Sequence, residues 1–469
     1  MIKAILSTFA NCFKIPELKS RILFTILVLA VCRLIALIPI PGLDGAALAQ
    51  FFDQQAASSS GGGLLGMYSL FTGGALEKCA IGSLGIMPYI SATIIIQLLS
   101  AVVPQLSKMV REEGGRAKVI QYGRYLTVLL CLGQGFVMAL GWENPDKVFG
   151  GNFPGGLVLI ENIWWYRIQT VLLLTTGTLL LMWLGEQISD RGIGNGVSLV
   201  ITIGILSRLP MAATSAWLMF FPPKGVPITN SFNLFHAIAL VLLLVAVVAG
   251  VIAVTQAQRK IPVQYAQRAV GRKVYAGGTS FLPLKVNYAG VMPIIFAQAI
   301  LMFPEKIFMT LAQITEKGMA GFSNLCYGIA AGLQHGSLPY LTLEGLMILF
   351  FSYFWVATQF NEIQIADDLK KYGGYIPGVR PGQATSDFLH RAMSRITLAG
   401  AIFLVIIAII PTVLFNWADI PFEVGQFFGG TSMLISVGVM LDTMRQVESH
   451  LLMRHYDGFL KKGRIRGRF

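Results

Sequence analysis

Charge is what this sequence has least of. Only 13% of its 469 residues are charged while 55% are hydrophobic, and the mean hydropathy is +0.66. A water-soluble protein of this length needs far more charged surface, so soluble enzymes and soluble binding modules are excluded. Cysteine is also scarce. The five residues Cys12, Cys32, Cys79, Cys131 and Cys326 form no CxxC pair, which leaves neither a metal site nor a disulfide framework, and they read as small core residues. The five histidines are equally scattered, with no HExxH or nucleophile-elbow pattern. No GxxxxGK[ST] phosphate loop occurs either, so no cofactor is expected and any ATP would be hydrolysed by a partner. Carboxylates are rare at depth: Glu186, Glu362 and Asp442 all fall near the ends of apolar runs. Ion-coupled carriers usually need an acid inside the membrane, although backbone carbonyls at broken helices can bind ions instead.

What the chain has in abundance is apolar runs of spanning length. Ten are expected: Ile22–Ile38, Ile81–Val103, Leu126–Gly141, Arg167–Leu184, Val197–Leu206, Leu234–Val254, a seventh from Gly290 to about Phe303, Leu341–Ala357, Leu398–Phe415 and Phe428–Met444. This is the pattern of an all-α polytopic membrane protein. Arg33 lies within the first run and reads as a side chain that snorkels or faces other helices. Leu64–Phe71 is apolar but too short to span, and the pattern fits a re-entrant piece or an interfacial helix equally.

Ten spans put alternate loops on opposite sides. The segments sharing a side with residues 1–21 (104–124, 185–195, 256–288, 361–396 and 445–469) hold, with it, 28 Lys and Arg; the opposite segments hold 7. Positive charge favours the cytoplasmic side, so both termini are expected in the cytoplasm. The N-terminal run shows no cleavage site of small residues and reads as a first span rather than a signal peptide. The expected organisation is a cytoplasmic segment 1–21, an N-terminal half 22–207 and an external linker 208–233. A C-terminal half 234–447 and a basic tail 448–469 follow.

One motif occurs twice. Gly85-Ile86-Met87-Pro88-Tyr89-Ile90 returns 205 positions later as Gly290-Val291-Met292-Pro293-Ile294-Ile295, each copy opening an apolar segment. The chain therefore reads as two related halves. The copies set aliphatics (Ile86, Ile90, Val291, Ile295) beside a helix-breaking proline, and Val197 and Ile201 lie one turn apart after the glycine hinge 192–196. Such a set can form an apolar constriction that seals by excluding water, or serve as ordinary core. The loop 256–288 carries Arg259, Lys260, Arg268, Arg272, Lys273 and Lys285 with no acidic residue, and aromatics at Tyr265, Tyr275 and Phe281. It reads either as a topology determinant touching anionic lipid or as a docking surface for an acidic partner.

Several longer motifs carry a family resemblance. They are Ile38-Pro39-Ile40-Pro41-Gly42, Gly73-Gly74-Ala75-Leu76, the first repeat copy through Ala92, and Met182-Trp183-Leu184-Gly185-Glu186-Gln187-Ile188. To these add Arg191-Gly192-Ile193-Gly194-Asn195-Gly196, Leu282-Pro283-Leu284-Lys285-Val286-Asn287, Pro377-Gly378-Val379-Arg380-Pro381-Gly382 and Phe428-Gly429-Gly430-Thr431-Ser432. In these residues, from about Ile22 to Lys462, the chain resembles the SecY/Sec61-alpha family, the central subunits of protein-conducting channels. The resemblance implies ten helices in two pseudosymmetric, inverted halves around an hourglass pore. It further implies a plug at Leu64, Leu65, Gly66, Met67, Tyr68, Ser69, Leu70 and Phe71, and a pore ring of Ile86, Ile90, Val197, Ile201, Ile295 and Ile435. A lateral gate would run along the spans opened by Pro88 and Pro293. The loops 256–288 and 361–396 would dock the SecA ATPase and the ribosome through Arg259, Lys260, Arg268, Arg272, Lys273 and Arg380. SecE and SecG small membrane subunits, signal sequences, unfolded preproteins and membrane lipids are the remaining implied partners, and the bacterial cytoplasmic membrane the implied location.

Two other functions stay in view. A small-solute secondary transporter also uses inverted halves and Gly/Pro-broken helices. A membrane scaffold for whatever docks on the basic loops would need no pore ring.

Overall fold

The computed structural model describes residues 15–56, 68–69, 71–111, 114–145, 157–221, 234–265, 268–270, 273–275, 278–315, 320–334, 336–417, 420, 424–425, 427 and 431–462. They divide into two compact units, one of Met1–Ile228, Pro421–Val424 and Val439–Phe469, the other of Thr229–Ile420 and Gly425–Gly438.

In the first unit, α1 (Pro16–Ile35) opens on a proline, whose missing N–H costs nothing in a first turn. The first span was expected to reach Ile38 and stops at Ile35. Residues 38–40 instead pair with 79–81: the Ile40 N–H donates to the Cys79 carbonyl and the Ile81 N–H to the Ile38 carbonyl, both at 2.9 Å. Asp44 then caps α2 (Gly45–Ala56), its Oδ1 accepting from the Ala46 N–H at 3.0 Å. The second span, expected from Ile81, becomes helical only as α3 (Met87–Val102). Gly85 has φ +59° and Pro88 sits in the first turn, so residues 81–86 are turns.

The basic loop expected over 104–124 is mostly helix. It forms α4 (Pro104–Arg111) and the first turns of α5 (Gly115–Glu143), a helix of 29 residues. Next come α6 (Ile163–Arg191) and α7 (Gly196–Leu206), each capped by an asparagine, Asn162 and Asn195, then α8 (Leu209–Phe220). Arginine forks tie α5 to α6 at both ends: Arg124 Nη2 meets Glu186 Oε2 at 2.8 Å, and Arg167 Nη2 meets Glu143 Oε2 at 2.9 Å. Each pair is bidentate, the geometry that gives an arginine–carboxylate contact its directionality. The polar hinge between α6 and α7 is held from several sides. The Ile193 N–H donates to Thr25 Oγ1 at 3.1 Å, the Gly194 N–H to Gln446 Oε1 at 2.8 Å and the Gly196 N–H to Ser189 Oγ at 2.9 Å.

The second unit begins with α9 (Leu234–Gln256). The stretch expected as a basic loop, 256–288, is a β-hairpin: β1 (Gln258–Tyr265), β2 (Arg268–Val270), β3 (Lys273–Tyr275) and β4 (Thr279–Lys285). β1 pairs antiparallel with β4, Ile261 opposite Leu282 and Lys260 opposite Pro283. Helices follow as α10 (Met292–Thr315), α11 (Ala320–Gly332), α12 (Leu338–Gln359) and α13 (Glu362–Lys371); then β5 (Gly374–Tyr375) joins the free edge of β1. Between the seventh and eighth expected spans the described chain is largely helical, through the end of α10 and α11. α14 (Gln383–Trp417) and α15 (Thr431–Lys462) complete the chain.

Each of the ten expected spans overlaps one of α1, α3, α5, α6, α7, α9, α10, α12, α14 and α15. Among the described residues, six helices are long and apolar enough to cross a membrane: 117–143, 163–191, 196–220 (α7 continued by α8), 235–256, 338–371 and 383–415. Among the described residues the spans are helical, and two small sheets, β4-β1-β5 and β2-β3, are built from the connections.

Candidate functional site

Two arginines converge on the chain just before the second span. Arg33 of α1 donates from Nη1 and Nη2 to the Gly73 carbonyl, both at 3.2 Å. It therefore faces protein rather than snorkelling, and the bond stems from Gly73 and Gly74 adopting φ of +63° and +84°, which turns the carbonyl towards it. Arg208, between α7 and α8, pairs with Glu77 and with Ser69 Oγ, and Ser69 Oγ donates to Glu77 Oε1 at 2.6 Å. α7 comes unusually close: a Cβ added to Gly204 would sit 3.0 Å from the Phe71 carbonyl oxygen. Of the expected plug, Tyr68, Ser69 and Phe71 are described and buried. Leu64, Leu65, Gly66, Met67 and Leu70 lie outside the described residues.

The aliphatic residues group by unit. In the first, a Cβ on Gly185 would lie 3.6 Å from the Val197 nitrogen and 3.7 Å from Ile86 Cδ1, so Ile86 and Val197 flank that glycine. Ile90 and Ile201 stand one turn further along α3 and α7. Ile86, Ile90 and Ile201 are buried and Val197 half-buried. A cavity of about 30 Å³, room for one water, is lined by Ile86 and Val200 together with Arg33, Phe71 and Thr72. In the second unit, Gln298 of α10 donates from Nε2 to Thr431 Oγ1 of α15, and a Cβ on Gly438 would strike Val291. These contacts bracket Ile295 and Ile435 one turn to either side, so an antiparallel register sets the two isoleucines opposite each other. Pro88 and Pro293 are buried in the first turns of α3 and α10.

The basic residues sit on a folded platform. Ile261, Val263 and Leu284 turn one hairpin face onto Val356, Phe360, Ile376, Leu389, Ala392 and Met393. The strand period of two leaves Lys260, Pro262, Phe281 and Pro283 on the solvent face, with Phe281 58% exposed. Arg259 and Lys260 are exposed; Arg268 and Lys273 fall in β2 and β3, and Arg272 lies outside the described residues. Arg380 is exposed in a turn between Gly378 and Gly382 (φ +81° and +102°), its carbonyl accepting from Thr385 Oγ1 at 2.9 Å.

Three residues escaped the sequence reading. Glu77 and Arg208 are ordinary loop charges until the fold pairs them. Glu344 is a further carboxylate within an expected span: it is 1% exposed inside α12, near Gln298, and its Oε1 has no hydrogen-bond partner. A scan of the eighth run for acidic residues would have found it.

The helices, their turns of irregular backbone before α3 and α10, and the partly buried arginines that bond them together define a multi-pass membrane protein built from two helical units. The SecY family model matches residues 80–444. The protein translocase subunit SecY of Thermotoga maritima is 42% identical over 463 residues, 98% of this chain and 99% of that protein. The chain belongs to the SecY family. Among solved structures, a SecY whose plug domain is described as stabilising the closed state of the translocation channel and maintaining a membrane seal has a TM-score of 0.56 at 19% identity, covering 98% of this chain and 99% of that one. Sec61 in the canine ribosome–channel complex from the endoplasmic reticulum has a TM-score of 0.52 at 18% identity, covering 97% and 99%. At that identity both establish the shared fold.

Proposed function

We propose that this chain is the central subunit of a channel that passes unfolded secretory proteins across the cytoplasmic membrane of a bacterium and releases signal sequences and membrane segments sideways into lipid. The observation that supports the reading is that Phe71, the last residue of the proposed plug, lines one cavity with Ile86. A plug seated against an apolar ring gives two seals in series. Aliphatic side chains can close around an extended chain and shed water, whereas a ring of charges would conduct ions.

The ring consists of Ile86, Ile90, Val197 and Ile201 from the first unit and Ile295 and Ile435 from the second. The helices opened by Pro88 and Pro293 form the lateral gate. A hydrophobic signal sequence leaves through it because burial in lipid yields about 0.8 kcal/mol per CH₂. Both termini lie in the cytoplasm, with halves at 22–207 and 234–447 and a linker between. The hairpin 256–288 and the 361–396 segment, with Arg380, receive the SecA motor or the ribosome, which supplies the energy, and SecE and SecG accompany the chain in the membrane. The small-solute transporter is the less favoured reading, because the family match spans most of the chain.

A photo-crosslinking residue at Ile90, offered a stalled secretory chain, tests the path. A crosslink is the expected result. Silence at Ile90, Ile86 and Ile201 together refutes the pore ring and returns the transporter to consideration.

A further inference from the structure

Two arginines hold the chain from Ser69 to Glu77, which runs on from the proposed plug, in different ways. Arg33 grips a backbone carbonyl, that of Gly73, with both Nη atoms. No side chain needs to leave for that bond to persist, so it marks a fixed point. Arg208 grips side chains: the Glu77 carboxylate and the Ser69 hydroxyl, which are bonded to each other as well. The guanidinium lies flat over Gly74, where a Cβ would come within 3.1 Å of Nη2. The triad closes a loop from residue 69 to residue 77 around the Gly73-Gly74 turn, and links it to the junction of α7 and α8.

The degree of burial decides what such a triad can do. A fully buried ion pair is costly to open, because each charge is stranded without water. A fully exposed one contributes little. The Arg208 and Glu77 side chains are 13% and 15% exposed, so the pair is mostly shielded while closed yet keeps accessible surface at which its charges can be solvated on parting. Ser69 is 1% exposed, so its hydroxyl depends on the triad for satisfaction.

We infer that Arg208, Glu77 and Ser69 form a releasable charge latch that positions the plug segment, turning about the point that Arg33 fixes at Gly73. This rests on the channel reading above. The latch sets the resting equilibrium of the plug: losing one partner shifts it towards the unseated state by about tenfold, the scale of a partly buried pair.

The test is the resting ion conductance of membrane vesicles carrying the full-length chain with its membrane partners, without motor or substrate. Glu77→Gln and Arg208→Gln should each raise conductance about tenfold, Ser69→Ala less, and the reversed pair Glu77→Arg with Arg208→Glu should fall back towards the parent. Glu143→Gln, which breaks the bidentate pair with Arg167 away from the plug, should stay at the parent level. Parent-level conductance in the latch variants, beside a leaking deletion of residues 64–71, overturns the latch and leaves the plug standing. A deletion that does not leak removes the plug reading itself. Equal leakage from Glu143→Gln also overturns the latch, since any lost ion pair would then suffice. Should the charged variants fail to accumulate, Ser69→Ala decides alone, because it removes only one hydroxyl.

Discussion

Lys260 and Ile261 are neighbours in β1 that point to opposite faces, and alanine at each should fail differently. Ile261 is 4% exposed and packs with Val263 and Leu284 against the helices beneath. Ile261→Ala removes buried carbons that the sheet cannot collapse to replace, at about 2–5 kcal/mol. At a factor of ten per 1.4 kcal/mol, local opening of the hairpin should rise about 30-fold or more. Lys260 shares the solvent face with Pro262, Phe281 and Pro283, and its removal should change stability by less than about 0.5 kcal/mol. It should instead weaken a docked polyanion such as ribosomal RNA, reducing the slope of log affinity against log salt by about 1. Limited proteolysis under native conditions reads the first effect, and co-sedimentation with ribosomes across a salt series reads the second. Equal cleavage rates in Ile261→Ala and the parent would show that this face is not the buried one. An unchanged salt slope in Lys260→Ala would remove the solvent face from docking.

Two further substitutions test close approaches. Gly204→Ala places a Cβ 3.0 Å from the Phe71 carbonyl oxygen and 3.6 Å from the Gly73 nitrogen, both backbone atoms that cannot rotate away. The overpacking of about 1–3 kcal/mol should unseat the segment, read as faster aqueous maleimide labelling of a Ser69→Cys reporter; unchanged labelling would refute the close packing. Gln298→Leu alone should cost about 1–3 kcal/mol by taking an amide neighbour from Glu344 and a donor from Thr431, whereas adding Glu344→Leu should recover the Glu344 share. Thermal unfolding in detergent compares them, and an equal loss in both would mean the two residues act independently.

The spans were legible because lipid demands long apolar runs, and each expected run overlaps a helix. Their ends were less so. Apolar residues continue past Ile35 to Ile38 and precede Met87 from Ile81, yet those stretches leave the helix to pair with each other around Cys79, a long-range event that hydropathy does not report. The hairpin was missed for a related reason. Its alternation is brief, Ile261 and Val263 on one strand and Leu282 and Leu284 on the other, and becomes a sheet only when α14 and the end of α12 supply a floor. The site was half legible: the glycine–proline repeat pointed at Ile86 and Ile295, but the opposition of Ile295 to Ile435 follows from Gln298–Thr431 and Val291–Gly438, contacts across more than a hundred residues. Charges such as Glu77 and Arg208 gave no local signal, since only folding makes them a pair.

The repeat also preserves less chemistry than its motif suggests. Both copies turn through a positive-φ glycine, Gly85 and Gly290, and place proline at the second helical position, so the backbone device is shared. What surrounds it differs. The first unit is stitched by arginine, through Arg33, Arg124, Arg167 and Arg208, each bonded to a carboxylate or a carbonyl. The second uses amide and aromatic contacts around its own copy: Gln298 to Thr431, and Phe296 edge-on to Phe351 at 5.8 Å and to Trp355 at 5.5 Å. Ion pairs with some access to water can open and rehydrate, whereas interdigitated aromatics and a fully buried amide lose contacts they cannot replace. The first unit is therefore the one equipped to release a segment, and it is the unit that carries residues 64–71, the proposed plug.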